Sequence, residues 1–135
     1  MINTKRLVIA FFVTLLVSYA YEFVVYGVVL QSFHATQPRW LKPEAEWNML
    51  RLYLSSAVGI ALVTLFYALF ARGGASRLST GIVFGFLLGV ITGWMPQVYN
   101  KLLLVDWPFY KYWAPAGFGE FLLMGITLGL VYRDR

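Results

Sequence analysis

The sequence predicts an all-α integral membrane protein: a four-helix bundle with two longer loops on its outer side. Hydrophobic residues make up 60% of the 135 residues and charged residues only 13%, far from the balance of an average soluble domain. The apolar residues fall in four runs, and a hydrocarbon core needs roughly 20 residues per helix. Backbone in lipid must satisfy its own hydrogen bonds, so these runs are expected to be helices of one transmembrane domain, residues 1–135.

The first two predicted helices cover residues 7–30 and 44–71. The first run continues to Leu30, and we expect an uncleaved helix rather than a signal peptide. The second helix is expected to start ahead of its apolar run, because Pro43 suits a first helical position and acidic residues suit a first turn. A helix starting there has a polar stripe that should face protein at its outer end. Its members are Glu44, Asn48, Arg51, Ser55 and Gly59.

The last two predicted helices cover residues 78–99 and 114–132. Between them, the run at 102–112 is too short to span a membrane, so we expect an interfacial or re-entrant segment. Its aromatic stretch, WPFYKYW at 107–113, suits an interfacial belt and also a partner surface.

The basic residues predict the orientation. With both ends of the chain in the cytoplasm, the inner side holds six Lys and Arg and the outer side five. The inner segments are much shorter, so their basic density is higher, as the positive-inside rule expects. All five Trp fall on or near the outer side. The predicted location is therefore a bacterial-type inner membrane, with multiple spans.

Glycines recur every four residues along the third helix, and two more share this spacing on the fourth. Small residues let membrane helices approach closely, and glycine otherwise costs helix stability, so the spacing predicts a packing surface. Packing inside the bundle and packing against another subunit are both consistent with it. The predicted packing residues are Gly81, Gly85, Gly89, Gly93, Gly125 and Gly129.

Two carboxylates lie inside the apolar runs, in EFVVYGVVL at 22–30 and EFLLMGITL at 120–128. Glu22 belongs to a stripe with Thr14, Ser18 and Tyr26 at four-residue spacing, so it should face protein rather than lipid. At about 1.5 Å per residue, Glu22 lies roughly 12 Å and Glu120 roughly 8 Å below the outer ends of their helices. We therefore expect both acids in one polar layer of the outer half.

Other polar residues approach this layer from the second and third helices. Three roles are open: a Glu–Arg–Asn network that fixes helix register, a site for protons or cations, and a site for a lipid-like or quinone-like ligand. The candidate residues are Glu22, Glu120, Arg51, Asn48, Tyr26, Tyr99 and Asn100.

Several chemistries find no support in the sequence. There is no Cys and a single His, His34, so neither a conventional zinc site nor a bis-His haem is expected, and we predict no metal and no cofactor. No nucleophile–base motif or phosphate loop is present, which predicts a non-enzymatic protein. The net charge of +5 comes from basic residues beside apolar runs, so no nucleic-acid partner is expected.

The segment from Glu22 to Leu30-Gln31-Ser32-Phe33 resembles the first-helix pattern of the small multidrug resistance transporters. It covers about a dozen residues. In that family the corresponding Glu binds protons and cationic drugs, which implies a coupling role for Glu22. This chain departs from the family in its longer outer loops, its second Glu and its glycine spacing.

The leading functional hypothesis is a small membrane subunit or interaction module. It would pack against itself or a larger membrane complex and bind a lipid-like ligand in the outer polar layer. The alternative is a small proton-coupled transporter with Glu22 and Glu120 as coupling acids. A register network needs the acids dry and paired, whereas a transporter needs them protonatable and reachable.

Overall fold

The computed structural model describes residues 2–36, 46, 48–71, 78–100 and 107–132, with the backbone alone over 94–100 and 107–110. Every regular element in these residues is helical, which confirms the all-α prediction. A π-helical segment, Val25–Val29, continues the first helix. The α-helices are α1 (Thr4–Val24), α2 (Gln31–Ala35), α3 (Met49–Phe70), α4 (Leu78–Asn100) and α5 (Trp107–Val131).

α1 begins three residues before its predicted start because Asn3 caps it. The Asn3 side chain accepts a hydrogen bond from the Arg6 backbone N–H at 3.1 Å, which is why asparagine is favoured at this position. Beyond α1 the helix widens: the Leu30 N–H donates to the Val25 carbonyl five residues back, a π-type bond.

α3 begins at Met49, five residues after its predicted start. Asn48 has a non-helical ψ of 89°, and its side chain accepts a hydrogen bond from the Arg51 N–H at 2.9 Å. It is therefore the N-cap rather than part of a longer helix. The predicted polar stripe does not turn toward protein where it is described. Arg51 and Ser55 are exposed, and a Cβ on Gly59 would have no neighbour within 4 Å.

Three helical stretches are long and apolar enough to cross a membrane, which indicates a membrane protein. They are Thr4–Val29, Met49–Phe70 and Lys111–Val131. α4 is apolar from Leu78 to Gly93 and stays helical to Asn100.

α5 begins at Trp107, seven residues before its predicted start. Residues 107–112, expected in a separate interfacial or re-entrant segment, form its first turns and run on into the span. Residues 102–106 of that predicted segment lie outside the described residues. Pro115 lies within the helix.

The most extensive packing joins α4 to α5 through glycine. A Cβ on Gly85 would lie 2.6 Å from the Phe121 carbonyl oxygen and 3.0 Å from the Leu122 Cα. A Cβ on Gly81 would overlap the Gly125 carbonyl oxygen and lie 2.8 Å from the Gly129 Cα. Real side chains do not fit such distances, so the two backbones touch. These glycines therefore pack within the chain.

The glycine contact loosens toward the far end of α4. At Gly89 a Cβ would lie 2.7 Å from the Phe118 ring, which is a side chain that can move. At Gly93 the nearest atom, the Ala114 carbonyl oxygen, is 3.8 Å away, an ordinary contact. The strict need for glycine is therefore greatest at Gly81 and Gly85.

All four long helices meet around Tyr67 of α3. Tyr67 and Tyr132 have no exposed surface, and their rings lie 6.1 Å apart and nearly perpendicular. The Tyr67 ring also meets Phe84 of α4 edge-on at 5.1 Å, and Ala10 of α1 joins the same buried cluster. We call this the basal end of the molecule. The apical end is the opposite one, near Val29, Met49 and Trp107.

Candidate functional site

The candidate site is built on α1, whose polar residues at four-residue spacing share one face. Thr14 and Ser18 on this face are buried, and Glu22 and Tyr26 are half-buried. α1 packs against both α3 and α5. Its polar face can therefore reach side chains of either neighbour.

Two serine hydroxyls bind the two carboxylates across helix boundaries. Ser18 Oγ of α1 donates a hydrogen bond to Glu120 Oε1 of α5 at 2.8 Å. Ser56 Oγ of α3 donates to Glu22 Oε1 of α1, also at 2.8 Å. The four side chains thus connect α3, α1 and α5 in one polar chain.

The carboxyl groups of Glu22 and Glu120 are also electrostatic neighbours of each other. Two negative charges so placed would repel in apolar surroundings. The geometry is therefore that of two neighbouring acids whose repulsion one proton would relieve. We call Glu22 and Glu120 the acid pair.

Both members of the acid pair lie within apolar spans. Glu22 is seven residues from Val29 and Glu120 nine from Lys111, or roughly 10 and 14 Å from the apical span ends at about 1.5 Å per residue. The two helices run antiparallel, so the acids come to the same level. A free charge at that depth is costly. Protonation of one of the two groups would reduce that cost.

An aromatic cluster lies against the acid pair on its apical side. Tyr26, in the π-helical segment, has its ring 5.2 Å from the Trp113 ring and stacked on His34 at 6.5 Å. Tyr26 is also an electrostatic neighbour of both acids, so it connects the pair to the cluster. Phe33 and Tyr112 complete it, with rings 4.7 Å apart. We call these five residues the apical aromatic cluster.

The π-helical segment positions Tyr26 for this role. It begins one turn after Glu22, and its wider turn changes the direction of the side chains that follow. π-type turns within α-helices are rare and recur at functional sites. The sequence pattern did not predict this change of pitch.

Arg51 does not reach the acid pair, contrary to the Glu22–Arg51–Glu120 layer expected from the sequence. It is exposed, and within the described residues neither acid forms an ion pair with it. Arg51 precedes Ser56 by five residues, which places it about 140° around α3 and about 8 Å nearer the apical end. The residue that meets Glu22 and the predicted cation therefore point in different directions.

The other predicted site residues also lie apart from the pair. Asn48 caps α3. Tyr99 and Asn100 are the last two residues of α4, and their side chains lie outside the described part of the chain. Among the predicted residues whose side chains are described, Tyr26 is the further one that lies near the acids.

Ser56 and Tyr21 belong to the site, although the sequence did not single them out. Ser56 shares its face of α3 with Ile60 and Thr64, which are 2% and 1% exposed. That four-residue spacing is the signal that could have identified it. Tyr21 donates a hydrogen bond to the Ala116 carbonyl at 2.8 Å and so joins α1 to α5 one turn from Glu120. No spacing in the sequence pointed to that bond.

The described residues contain no group of three or more His, Cys, Asp or Glu that could hold a metal ion.

No protein-family model matches the chain, and no curated protein or solved structure is significantly similar to it. The resemblance to the small multidrug resistance transporters therefore stays limited to the residues on which it was based.

Proposed function

We propose that this chain is a small proton-coupled membrane transporter in which Glu22 and Glu120 form one proton site. The observation that carries the proposal is that two carboxyl groups lie next to each other inside apolar spans, each accepting a hydrogen bond from a serine of another helix. A register network of the kind expected from the sequence needs Arg51 beside the acids, and Arg51 points away. The geometry therefore favours the second of the two functions predicted from the sequence.

The acid pair couples protonation to helix packing. When its proton leaves, two carboxylates face each other and repel. Glu22 is bonded to α3 through Ser56 and Glu120 to α1 through Ser18, so this repulsion acts where three helices meet. Rebinding a proton restores the closed arrangement. Binding of a substrate in place of the proton would make exchange of one for the other obligatory.

The transporter proposal includes a fourth span and a defined orientation. α4 has 23 residues, about 35 Å at 1.5 Å per residue, enough for a bilayer core of about 30 Å. We place both ends of the chain in the cytoplasm, because the short segments on that side are the richer in basic residues. A bacterial-type inner membrane suits this arrangement.

Infrared spectroscopy of the reconstituted protein tests the proton site. Between acidic and alkaline buffer, the wild-type protein should lose a protonated-carboxyl band and gain a carboxylate band. The double variant Glu22→Gln, Glu120→Gln should abolish this change, because an amide keeps hydrogen bonds but releases no proton. Each single variant keeps one carboxyl group and should alter the position of the band. Glu46→Gln is the matched control, since Glu46 is exposed and should leave the band unchanged.

Proteoliposomes loaded with a pH-sensitive dye test the coupling. The first probe is tetraphenylphosphonium, a lipophilic cation of the class that the family resemblance implies. Its uptake should move protons in the wild type and not in either Glu→Gln variant. If both variants lose only stability, and the wild type shows no titrating carboxyl band, the acids are a register device and the proposal fails.

A second candidate function is the subunit or interaction module, in a homo-oligomer or larger membrane complex. The observation that favours it is an apolar face of α3 that no described residue covers, formed by Leu50, Leu54, Val58 and Leu62, which are 71%, 59%, 62% and 51% exposed. Native mass spectrometry of protein extracted from its own membrane separates the two. A stoichiometric larger partner would favour the module, and a monomer or bare homodimer would favour the transporter.

A further inference from the structure

We propose a binding site for one anionic phospholipid along the apical half of α3. An open surface depression of about 310 Å³, here called the groove, lies on this helix on a different side from the acid pair, and α3 with its cap supplies every residue that lines it. Its lining residues are Asn48, Leu50, Arg51, Leu54, Ser55 and Val58. The proposal does not depend on the transport function, because none of these residues bonds to the acids.

The groove changes from polar to apolar along its length, as a lipid molecule does. Arg51 lies two residues into the span Met49–Phe70, so it stands about 3 Å below the apical span end. Val58 lies about 14 Å deep by the same rise, close to the thickness of one hydrocarbon leaflet, about 15 Å. The groove is thus long enough for a headgroup and the upper part of an acyl chain.

Arg51 is the group that selects an anionic occupant. Its guanidinium is permanently charged, and among the described residues no carboxylate forms an ion pair with it. Such a charge at the start of an apolar span requires a counter-charge or water. At this level a bilayer offers lipid phosphate, and Arg binds phosphate with two parallel hydrogen bonds. The Ser55 hydroxyl, one turn deeper, lines the same groove.

The apolar walls select a lipid over a free phosphate ion. Leu50, Leu54 and Val58 are 71%, 59% and 62% exposed, so no described residue covers them. A free phosphate would use Arg51 alone and leave these side chains uncovered. A phospholipid uses both parts of the groove. Charge and shape together therefore favour a lipid with a net negative headgroup.

Native mass spectrometry from bilayers of phosphatidylcholine containing phosphatidylglycerol tests this site. The wild-type protein should retain one phosphatidylglycerol molecule. Arg51→Gln should reduce its retention about tenfold, because a charge-assisted bidentate contact is lost. Lys111→Gln is the matched control: Lys111 is the other described cation at the apical end, lies over the Tyr112 ring outside the groove, and should retain lipid as the wild type does.

A second variant, Val58→Trp, fills the groove and keeps the charge. It should also lose the lipid while unfolding in detergent like the wild type. Equal retention in Arg51→Gln, an equal loss in Lys111→Gln, or equal retention of phosphatidylcholine would overturn the proposal. So would displacement of the lipid by excess inorganic phosphate, since the groove would then hold only an anion. A protein dimer in place of the bound lipid would show that a second copy occupies this face.

Discussion

At the scale of single residues, five hydrogen-bonded Ser and Thr side chains of the long helices divide into two groups. Thr64, Thr92 and Thr127 donate to carbonyls of their own helices three or four residues back, the usual arrangement for hydroxyls within a helix. Ser18 and Ser56 instead donate to carboxylates of another helix. Of these five residues only Ser18 and Ser56 join two helices, so theirs are the hydroxyl groups that hold the two acids in place.

Replacing either serine by alanine should weaken the bundle slightly. We expect Ser18→Ala and Ser56→Ala each to lower the free energy of unfolding by about 0.6 kcal/mol, a typical value for interhelical hydrogen bonds in membranes. Reversible unfolding in a denaturing detergent measures this. Ser79→Ala on α4 is the control, since Ser79 is exposed. An equal loss in the control would mean that the effect does not come from the acid pair.

The acid pair could be foreseen at the residue scale, but its partners could not. The depth of Glu22 and Glu120 in the membrane follows from counting residues along two antiparallel helices. This count requires only the positions at which the two apolar runs end. Arg51 was misplaced because its direction depends on the rotation of α3 about its own axis. Residues 52–71 are apolar around most of the helix, so their sequence does not indicate how α3 is rotated. Packing against α1 determines it.

At the scale of elements, the contact between α4 and α5 consists of backbone against backbone. A Cβ added to Gly81, Gly85 or Gly125 would overlap backbone atoms of the facing helix. Their spacing in the sequence predicted a close contact. It could not identify the partner helix, because two glycines at the same spacing occur on α5 and an equal stripe could serve a second subunit. The two helices follow each other along the chain, and this favours pairing with each other.

Gly85→Ala should separate α4 from α5. The added Cβ would meet the backbone of Phe121 and Leu122, which cannot rotate away, so we expect a loss of about 1–3 kcal/mol in the free energy of unfolding. Gly59→Ala is the control on α3. Its Cβ has free space, and alanine favours a helix by up to about 1 kcal/mol over glycine. Detergent unfolding of both variants measures the difference, and a stable Gly85→Ala protein would contradict the contact.

Helix ends were the least predictable part of the fold. α3 does not extend back to its predicted start at residue 44, because the Asn48 side chain accepts a hydrogen bond from the Arg51 N–H and caps the helix there. An asparagine side chain also suits a position inside a helix that faces a polar layer. The sequence alone therefore allows residue 48 to be either a cap or part of the helix. At α5 the aromatic residues 107–113 are compatible with an interface and with a helix. The structure makes them helical, and Tyr112 and Trp113 thereby join the apical aromatic cluster.

At the scale of the whole molecule, the basal end is closed by aromatic packing. Tyr67 contacts Phe84 and Tyr132, so α3 is held against α4 and α5 there. Tyr67→Ala should cost about 3–5 kcal/mol, as expected for removing a large buried aromatic side chain. Phe66→Ala, one position along, is the control because Phe66 is 55% exposed. Equal losses from the two variants in detergent unfolding would argue against a basal core.

The four-span topology can be tested over the whole chain, because there is no native cysteine. Single cysteines at Asn3, Thr36, Ser79 and Lys111 should divide into two groups. A membrane-impermeant maleimide added to intact cells should label Thr36→Cys and Lys111→Cys only. In permeabilised cells, the maleimide should label all four cysteines. Labelling of Ser79→Cys together with Lys111→Cys in intact cells would mean that α4 does not cross.

α3 is attached to its neighbours by aromatic packing at the basal end and by two side-chain hydrogen bonds nearer the apical end. Tyr67 provides the aromatic packing. The hydrogen bonds run from Ser56 to Glu22, eleven residues or roughly 16 Å from Tyr67, and from Tyr19 of α1 to the Tyr53 carbonyl at 2.6 Å, one turn further on. Under the proposed function, loss of the proton would place the repulsion between the two carboxylates beside the apical hydrogen bonds and leave the basal packing unchanged. The molecule would then open at its apical end while its basal end stays closed, which is the asymmetry that any carrier needs if it is not to leak.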